Sequence, residues 1–254
     1  MSERVVVALE GGILTGTLNR PDKKNAIDGA MIDELYALLE RADLDAAVRL
    51  VALRGAGKDF CAGMDLAELL ASADRTVEEN REAALRFGGL FTRLRALPKP
   101  VVAVVQGRVL AGGCGLATGC DLVLATESAQ FGYPEVQRGF VPALVMNMLR
   151  RAVGEKVAFD LAATGRLVTA PEAERIGLVS RVYPEGVFEE RVSEVLSALA
   201  GLSASALALT KQQFYALDGV PFEDGIRLSA DVNALSRTTP DFRTAIAAFL
   251  KMSR

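Results

Sequence analysis

Two short glycine-bearing segments hold the residue types and spacing that can do chemistry in this chain. The first is Phe60-Cys61-Ala62-Gly63-Met64-Asp65-Leu66; the second, about fifty residues on, is GRVLAGGCGLATGCD from Gly107 to Asp121. Each follows an apolar, β-branched run and precedes a helical pattern. Two such turns can aim two backbone N–H groups at one point. That point suits an oxygen on which negative charge develops, as when a thioester becomes an enolate. The sequence contains no histidine, so proton transfer must run on carboxylates, backbone, lysine, tyrosine or cysteine.

The same absence removes Ser-His-Asp and Cys-His hydrolases and histidine-ligated zinc. No GxxxxGK[ST] segment occurs, and no GxGxxG follows a strand, which argues against P-loop and dinucleotide-binding folds. Cys61, Cys114 and Cys120 lack metal-ligand spacing and read as small buried hydrophobes in a reducing setting. No metal site is expected. Net charge is −3 over 254 residues, with no basic stretch dense enough for nucleic acid. No apolar run reaches membrane-spanning length, and the opening Met1-Ser2-Glu3-Arg4 lacks the apolar core of a signal peptide. A cytoplasmic protein that binds neither nucleic acid nor membrane is expected.

The elements that must position these turns follow from periodicity and punctuation. Val5–Leu9 and Ile13–Leu18, split by Gly11-Gly12, predict an antiparallel hairpin. Asp28 predicts a cap for a helix whose Met31, Ile32, Leu35, Leu38, Leu39 and Ala42 keep helical spacing. Val48–Leu53, Val101–Val105, Leu122–Ala125 and Val179–Tyr183 read as strands, and Gln130-Phe131-Gly132 as a short extended piece. Helices are expected over 66–70, 77–97, from about 113, over 143–153 and over 155–163. Thr169-Ala170-Pro171-Glu172 reads as a capping box with proline in the first turn. Four further helices, roughly 187–200, 203–217, 222–236 and 240–251, close the chain. Strands alternate with helices and then give way to helices alone, which is an α/β core with a helical appendage.

Five segments, in order and spacing, resemble the enoyl-CoA hydratase/isomerase (crotonase) superfamily. They are LNRPDKKNAI at 18–27, FCAGMDL at 60–66, KPVVAVVQGRVLAGGCGLATGCDLVLAT at 99–126, AQFGYPEVQRGFVP at 129–142 and TGRLVTAPEAERIGLVSRVYP at 164–184. The resemblance implies an α/β fold of crotonase-like (ClpP/crotonase) type, a spiral of ββα units over 1–200, with a C-terminal helical trimerisation region over 201–254. It also implies an acyl-CoA thioester substrate and a homotrimer or hexamer. Coenzyme A is then part of the substrate and no separate cofactor is needed. By motif alignment the two oxyanion donors are the N–H groups of Met64 and Gly112. The residues expected to hold substrate or coenzyme A are Lys23, Lys24, Ala26, Ala62, Asp65, Leu66 and Gly113. The lysines would meet the phosphates as point charges. Phe249 and Lys251 occupy positions that in relatives cover a neighbouring subunit's coenzyme. The apolar 203–217 helix, with Leu207, Leu209, Phe214 and Leu217, would be over-exposed on a monomer and suits trimer packing.

Two departures from the family pattern, and one arginine, bear on mechanism. The better-known hydratases carry two glutamates. Here Gly115 stands at the first position, and only Glu135, in Phe131-Gly132-Tyr133-Pro134-Glu135, remains as catalytic carboxylate. The glycine-rich segment that follows in common hydratases is Pro142-Ala143-Leu144-Val145-Met146 here, which should narrow or reshape the acyl pocket. Arg138 is either a surface arginine or, if it points inward, a partner for a substrate carboxylate. One carboxylate can shuttle a proton for double-bond isomerisation, whereas adding water is easier with two. The stretch EVQRGFVPALV resembles hydratases that keep only the second glutamate. Hydration of a 2-enoyl-CoA is therefore the leading reading and 3-enoyl-CoA isomerisation the second. Other chemistry of the superfamily, such as thioester hydrolysis or decarboxylation, comes third, and a non-catalytic acyl-CoA-binding homologue is the non-enzyme alternative. Dehalogenation is disfavoured because 141–148 holds no aspartate.

Overall fold

The structure, a computed structural model, describes residues 3–252. Met1 and Ser2, on which the reading of the opening residues partly rests, lie outside the described residues, as do Ser253 and Arg254. In chain order the strands are β1 (Val5–Glu10), β2 (Ile13–Leu18), β3 (Leu50–Gly55), β4 (Val101–Val105), β5 (Arg108–Leu110), β6 (Leu122–Thr126), β7 (Gln130–Gly132), β8 (Leu167–Thr169) and β9 (Arg181–Tyr183). The helices are α1 (Gly29–Leu44), α2 (Leu66–Ala71), α3 (Val77–Ala96), α4 (Gly112–Thr118), α5 (Ala143–Val153), α6 (Glu155–Thr164), α7 (Ala170–Arg175), α8 (Phe188–Ala200), α9 (Ala204–Ala216), α10 (Phe222–Ser236) and α11 (Pro240–Met252).

A six-stranded sheet runs β1-β2-β3-β4-β6-β9 and a three-stranded sheet runs β5-β7-β8. The β1–β2 hairpin is antiparallel and the rest of the large sheet is parallel. Alternation along the strands builds two apolar layers. Val51, Leu53, Val101, Ala103 and Val105 face the main core with α1, α3 and α4, while Leu50, Ala52, Val102 and Val104 face Phe188, Val192 and Leu196 of α8. Burial on both faces explains why β3 and β4 read as unbroken apolar runs.

The cap at Asp28 is present: its carboxylate accepts the Met31 N–H at 2.9 Å, and all six spaced apolar residues of α1 are buried. Two elements differ in register from expectation: the strands expected over 48–53 and 179–183 begin two residues later, at Leu50 and Arg181. The three-residue strands β5 and β8 were not expected at all; so short a run shows no period. The box read at Thr169 is half formed. Thr169 Oγ1 accepts the Glu172 N–H, but the Glu172 carboxylate turns to Arg166 at 2.8 Å. The complete box starts α3, between Thr76 and Glu79.

After α8, helix α9 packs on α3, and α10 and α11 pack on α9. Large apolar side chains stay exposed along this tail, including Phe214, Phe222, Ile226, Phe249 and Leu250. Among the described residues, no single helix is long and apolar enough to cross a membrane.

Candidate active site

The two glycine turns meet. Gly63 adopts φ +99°, which glycine reaches without strain. A Cβ on it would stand 2.8 Å from the Ala111 methyl and 3.3 Å from the Gly112 nitrogen. The Met64 side chain in turn lies 3.7 Å from the place a Gly112 Cβ would take. Gly112 is the first residue of α4, where an N–H has no acceptor within the helix and the dipole is positive. No acceptor among the described residues takes the N–H of Met64 or of Gly112. Ala111, the residue before the helix, is held at φ +50°, ψ −126° by its own N–H, which donates to Gly132 O at 2.8 Å. That conformation is unfavourable for alanine and marks stored backbone strain beside the paired turns.

The first turn is clamped from the opposite side by the segment after β2. Ile27 N–H donates to Gly63 O, Asp65 N–H to Ile27 O, and Ala62 N–H to Lys24 O, at 2.8, 2.8 and 3.0 Å. Arg20 ties the clamp: it donates to Ala26 O at 2.6 Å and to Asp65 at 2.8 Å, and pairs with Asp28 at 3.3 Å. Buried Asn25 donates to Ala56 O and Asp59 O and accepts from Arg20 N–H. The structure thus brings Lys24, Ala26, Ala62, Met64 and Asp65 side by side. Lys23 and Lys24 are exposed on this turn and Leu66 is exposed at the start of α2. The carboxylate of Asp65 caps α2 and is held below the usual range by Arg20. Gly113 is buried with its Cα face against Cys61. In the sequence Arg20 stands only within the 18–27 segment; its role as the tie appears once three acceptors surround it.

Glu135 sits in a one-turn 3₁₀ segment, Pro134–Arg138, directly after β7. Its carboxyl is buried, and Oε2 has no hydrogen-bond partner. Burial pushes its pKa up; its own backbone N–H and, less, Arg138 oppose that only in part. Arg138 itself is exposed and donates to Pro134 O at 3.3 Å, so the inward alternative weighed for it is not the one adopted. Tyr133, fully buried, sets its hydroxyl 3.0 Å from Thr118 Oγ1 on α4 and so joins the glutamate's turn to the helix that begins at Gly112.

The absent first glutamate has a structural counterpart. A Cβ on Gly115 would lie 2.2 Å from Val145 Cγ1. Val145, from the segment that departs from the glycine-rich pattern, fills the space a side chain at 115 would use. The three cysteines are buried, and burial pushes the thiols of Cys61 and Cys114 up to about 12, so none is a ready nucleophile. Among the described residues no group of three or more potential ligand side chains is placed to hold a metal.

Fold and paired turns define a crotonase-type α/β protein. The family model described as enoyl-CoA hydratase/isomerase matches residues 8–251, and the chain belongs to that family. It is 44% identical over 95% of its length to a provisionally named enoyl-CoA hydratase of Thermus thermophilus, covering 96% of that protein. It is 35% identical over 99% of its length to the 2,3-dehydroadipyl-CoA hydratase of Escherichia coli, again covering 96%. The crystal structure of an enoyl-CoA hydratase from Mycobacterium smegmatis superposes with a TM-score of 0.95 at 30% identity, over 99% of this chain and 97% of that one. The protein is thus an enzyme of the enoyl-CoA hydratase or isomerase kind.

Proposed function

We propose that this enzyme adds water to 2-enoyl-CoA thioesters, and removes it in reverse, with Glu135 as the sole proton-transfer group. The buried, unpartnered Oε2 of Glu135 carries the reading. In this scheme the carboxylate takes a proton from water, and the hydroxyl adds to C3. The C2=C3 electrons pass to the thioester oxygen as an enolate. The N–H groups of Met64 and Gly112 donate to that oxygen, and each donor of this kind lowers the barrier by about 2.7–4 kcal/mol. The enolate collapses as Glu135 returns its proton to C2. One water is consumed, and the base ends in its starting state.

The exposed Lys23 and Lys24 serve the coenzyme phosphates, with Ala26, Ala62, Asp65, Leu66 and Gly113 shaping the thioester's approach. The apolar surface of α9–α11 supports a homotrimer, or a hexamer of two trimers, in which Phe249 and Lys251 approach a neighbour's coenzyme. A cytoplasmic location suits the reduced cysteines.

One observation favours a second reading. Val145 fills the place where a side chain at Gly115 would start, and a lone carboxylate suffices to carry a proton from C2 to C4 of a 3-enoyl-CoA. Separate incubations with crotonyl-CoA and a 3-enoyl-CoA decide between them by product analysis. Hydration predicts 3-hydroxybutyryl-CoA from the first. Conversion of the second to its 2-enoyl isomer, with crotonyl-CoA untouched, would replace hydratase by isomerase. Binding of both without conversion would leave a non-catalytic acyl-CoA-binding protein.

A further inference from the structure

A groove of about 480 Å³ runs between α3 and α5 and is flanked by α9. Gly88 and Leu144 form its near end, where Leu144 Cδ2 lies 3.2 Å from the place a Gly88 Cβ would take. That end adjoins the paired turns. Phe87, one residue earlier, comes within 3.2 Å of the corresponding place on Gly112, and the Phe91 ring within 3.4 Å of that on Gly115. Phe91 and Met148 give the middle of the groove an apolar wall, beside the polar Thr92 and Asn147. Arg95 and Arg151 close the far end. They lie two helical turns from Gly88 and Leu144, roughly 10 Å away at helical rise.

The two guanidiniums converge on one atom. Arg95 Nη1 and Arg151 Nε lie 2.8 and 3.1 Å from Asp218 Oδ2. Arg151 also donates to Asn147 O at 2.8 Å, and Arg95 lies over the Tyr215 ring, 4.5 Å from its centre. The Tyr215 hydroxyl is committed to Asp121, which Lys211 balances at 2.7 Å. Two cations therefore share one anion at the end of a largely apolar groove. One positive charge is left over, on groups whose planar donors match a carboxylate.

We propose that this far end is a subsite for a carboxylate on the tail of the acyl group, so that the preferred substrates are 2-enoyl-CoA thioesters ending in a carboxylate. The proposal rests on the enzymatic reading above and adds the class of acyl group. The acyl chain lies along Phe91 and Met148 after displacing the Leu144 side chain from Gly88. Its carboxylate joins Asp218 between the two guanidiniums.

The test compares kcat/KM for a six-carbon 2-enoyl-CoA and for its counterpart ending in a carboxylate, in the wild type and in Arg95→Gln and Arg151→Gln. The ratio of the two substrates within one preparation cancels any general loss from altered packing. The expected wild-type ratio is about tenfold in favour of the carboxylate, and each substitution lowers it about tenfold, through KM. A wild-type ratio at or below one overturns the proposal, as does a ratio that either substitution leaves within twofold. If the neutral substrate reacts and the ratio fails, the subsite falls alone; if neither substrate reacts, the hydratase reading falls too.

Discussion

Glu135 and Asp121 are carboxylates fourteen residues apart in the chain, and the protein treats them in opposite ways. Asp121 is saturated. Oδ1 accepts from the Tyr215 hydroxyl at 2.8 Å, and Oδ2 accepts from Val101 N–H and from Lys211 Nζ, both at 2.7 Å. Glu135 is buried with Oε2 unmatched and its pKa raised. An acid with donors on both oxygens is an anchor; it ties α9 to the start of β4. An acid left unmatched under burial costs folding energy and is free to exchange a proton with whatever enters the site. In the proposed mechanism, then, the functional carboxylate is the poorly satisfied one.

Removing the anchor should have the largest effect on folding. Lys211→Met leaves Asp121 charged with only its neutral donors. Breaking a buried pair in this way is expected to cost about 3 kcal/mol, or roughly 6–12 °C in Tm by calorimetry for a chain of this size. An unchanged Tm would mean that the saturated carboxylate anchors nothing.

The next effect concerns the space a second carboxylate would occupy. Gly115→Ala drives a methyl into Val145 and should cost about 2 kcal/mol in chemical denaturation. Combined with Val145→Ala, most of that cost should vanish, because the clash is with that side chain. Additive losses would show that Val145 is not the filler.

Glu135 should behave in the opposite sense to Lys211. Its folded pKa is raised above the ordinary 4.5, so the native state binds the proton more tightly than the unfolded chain does. Stability is therefore lost as pH rises from about 4.5 through the raised value. Glu135→Gln should lift Tm by about 2–4 °C at neutral pH and have no effect at pH 4. A lower Tm at neutral pH would mean that the carboxylate is satisfied after all.

The smallest change expected is at Ala111. Glycine there removes the strain of φ +50°, at some entropic cost, for a net gain of about 1 kcal/mol. Equilibrium unfolding of Ala111→Gly would show it.

Much of this arrangement was legible in the sequence, for local reasons. The hairpin and the spacing and cap of α1 are near-neighbour signals. The glycine segments carry their constraints within a few residues. Glu135 stood out because Gly115 had lost its partner acid. What escaped depends on contacts far apart in the chain. Lys211 meets Asp121 ninety positions away, and nothing in the α9 pattern marks that lysine as buried. Val145 against Gly115 is a swap of volume between two helices, visible only when they pack. Arg138 could be weighed from sequence but not oriented. The strain at Ala111 is invisible because alanine gives no sign of positive φ. The capping box at Thr76 and Glu79 did carry a local signal, the same one that was read at Thr169.

The central claim, that the unmatched carboxylate moves the protons while two main-chain amides hold the charge, is tested most directly by one comparison. Hydration of crotonyl-CoA would be measured for wild type and Glu135→Gln, with acyl-CoA affinity determined on the same preparations. The account predicts a fall in kcat of about 10²–10⁴-fold with affinity nearly unchanged. Turnover by the glutamine variant within a few-fold of wild type would contradict it.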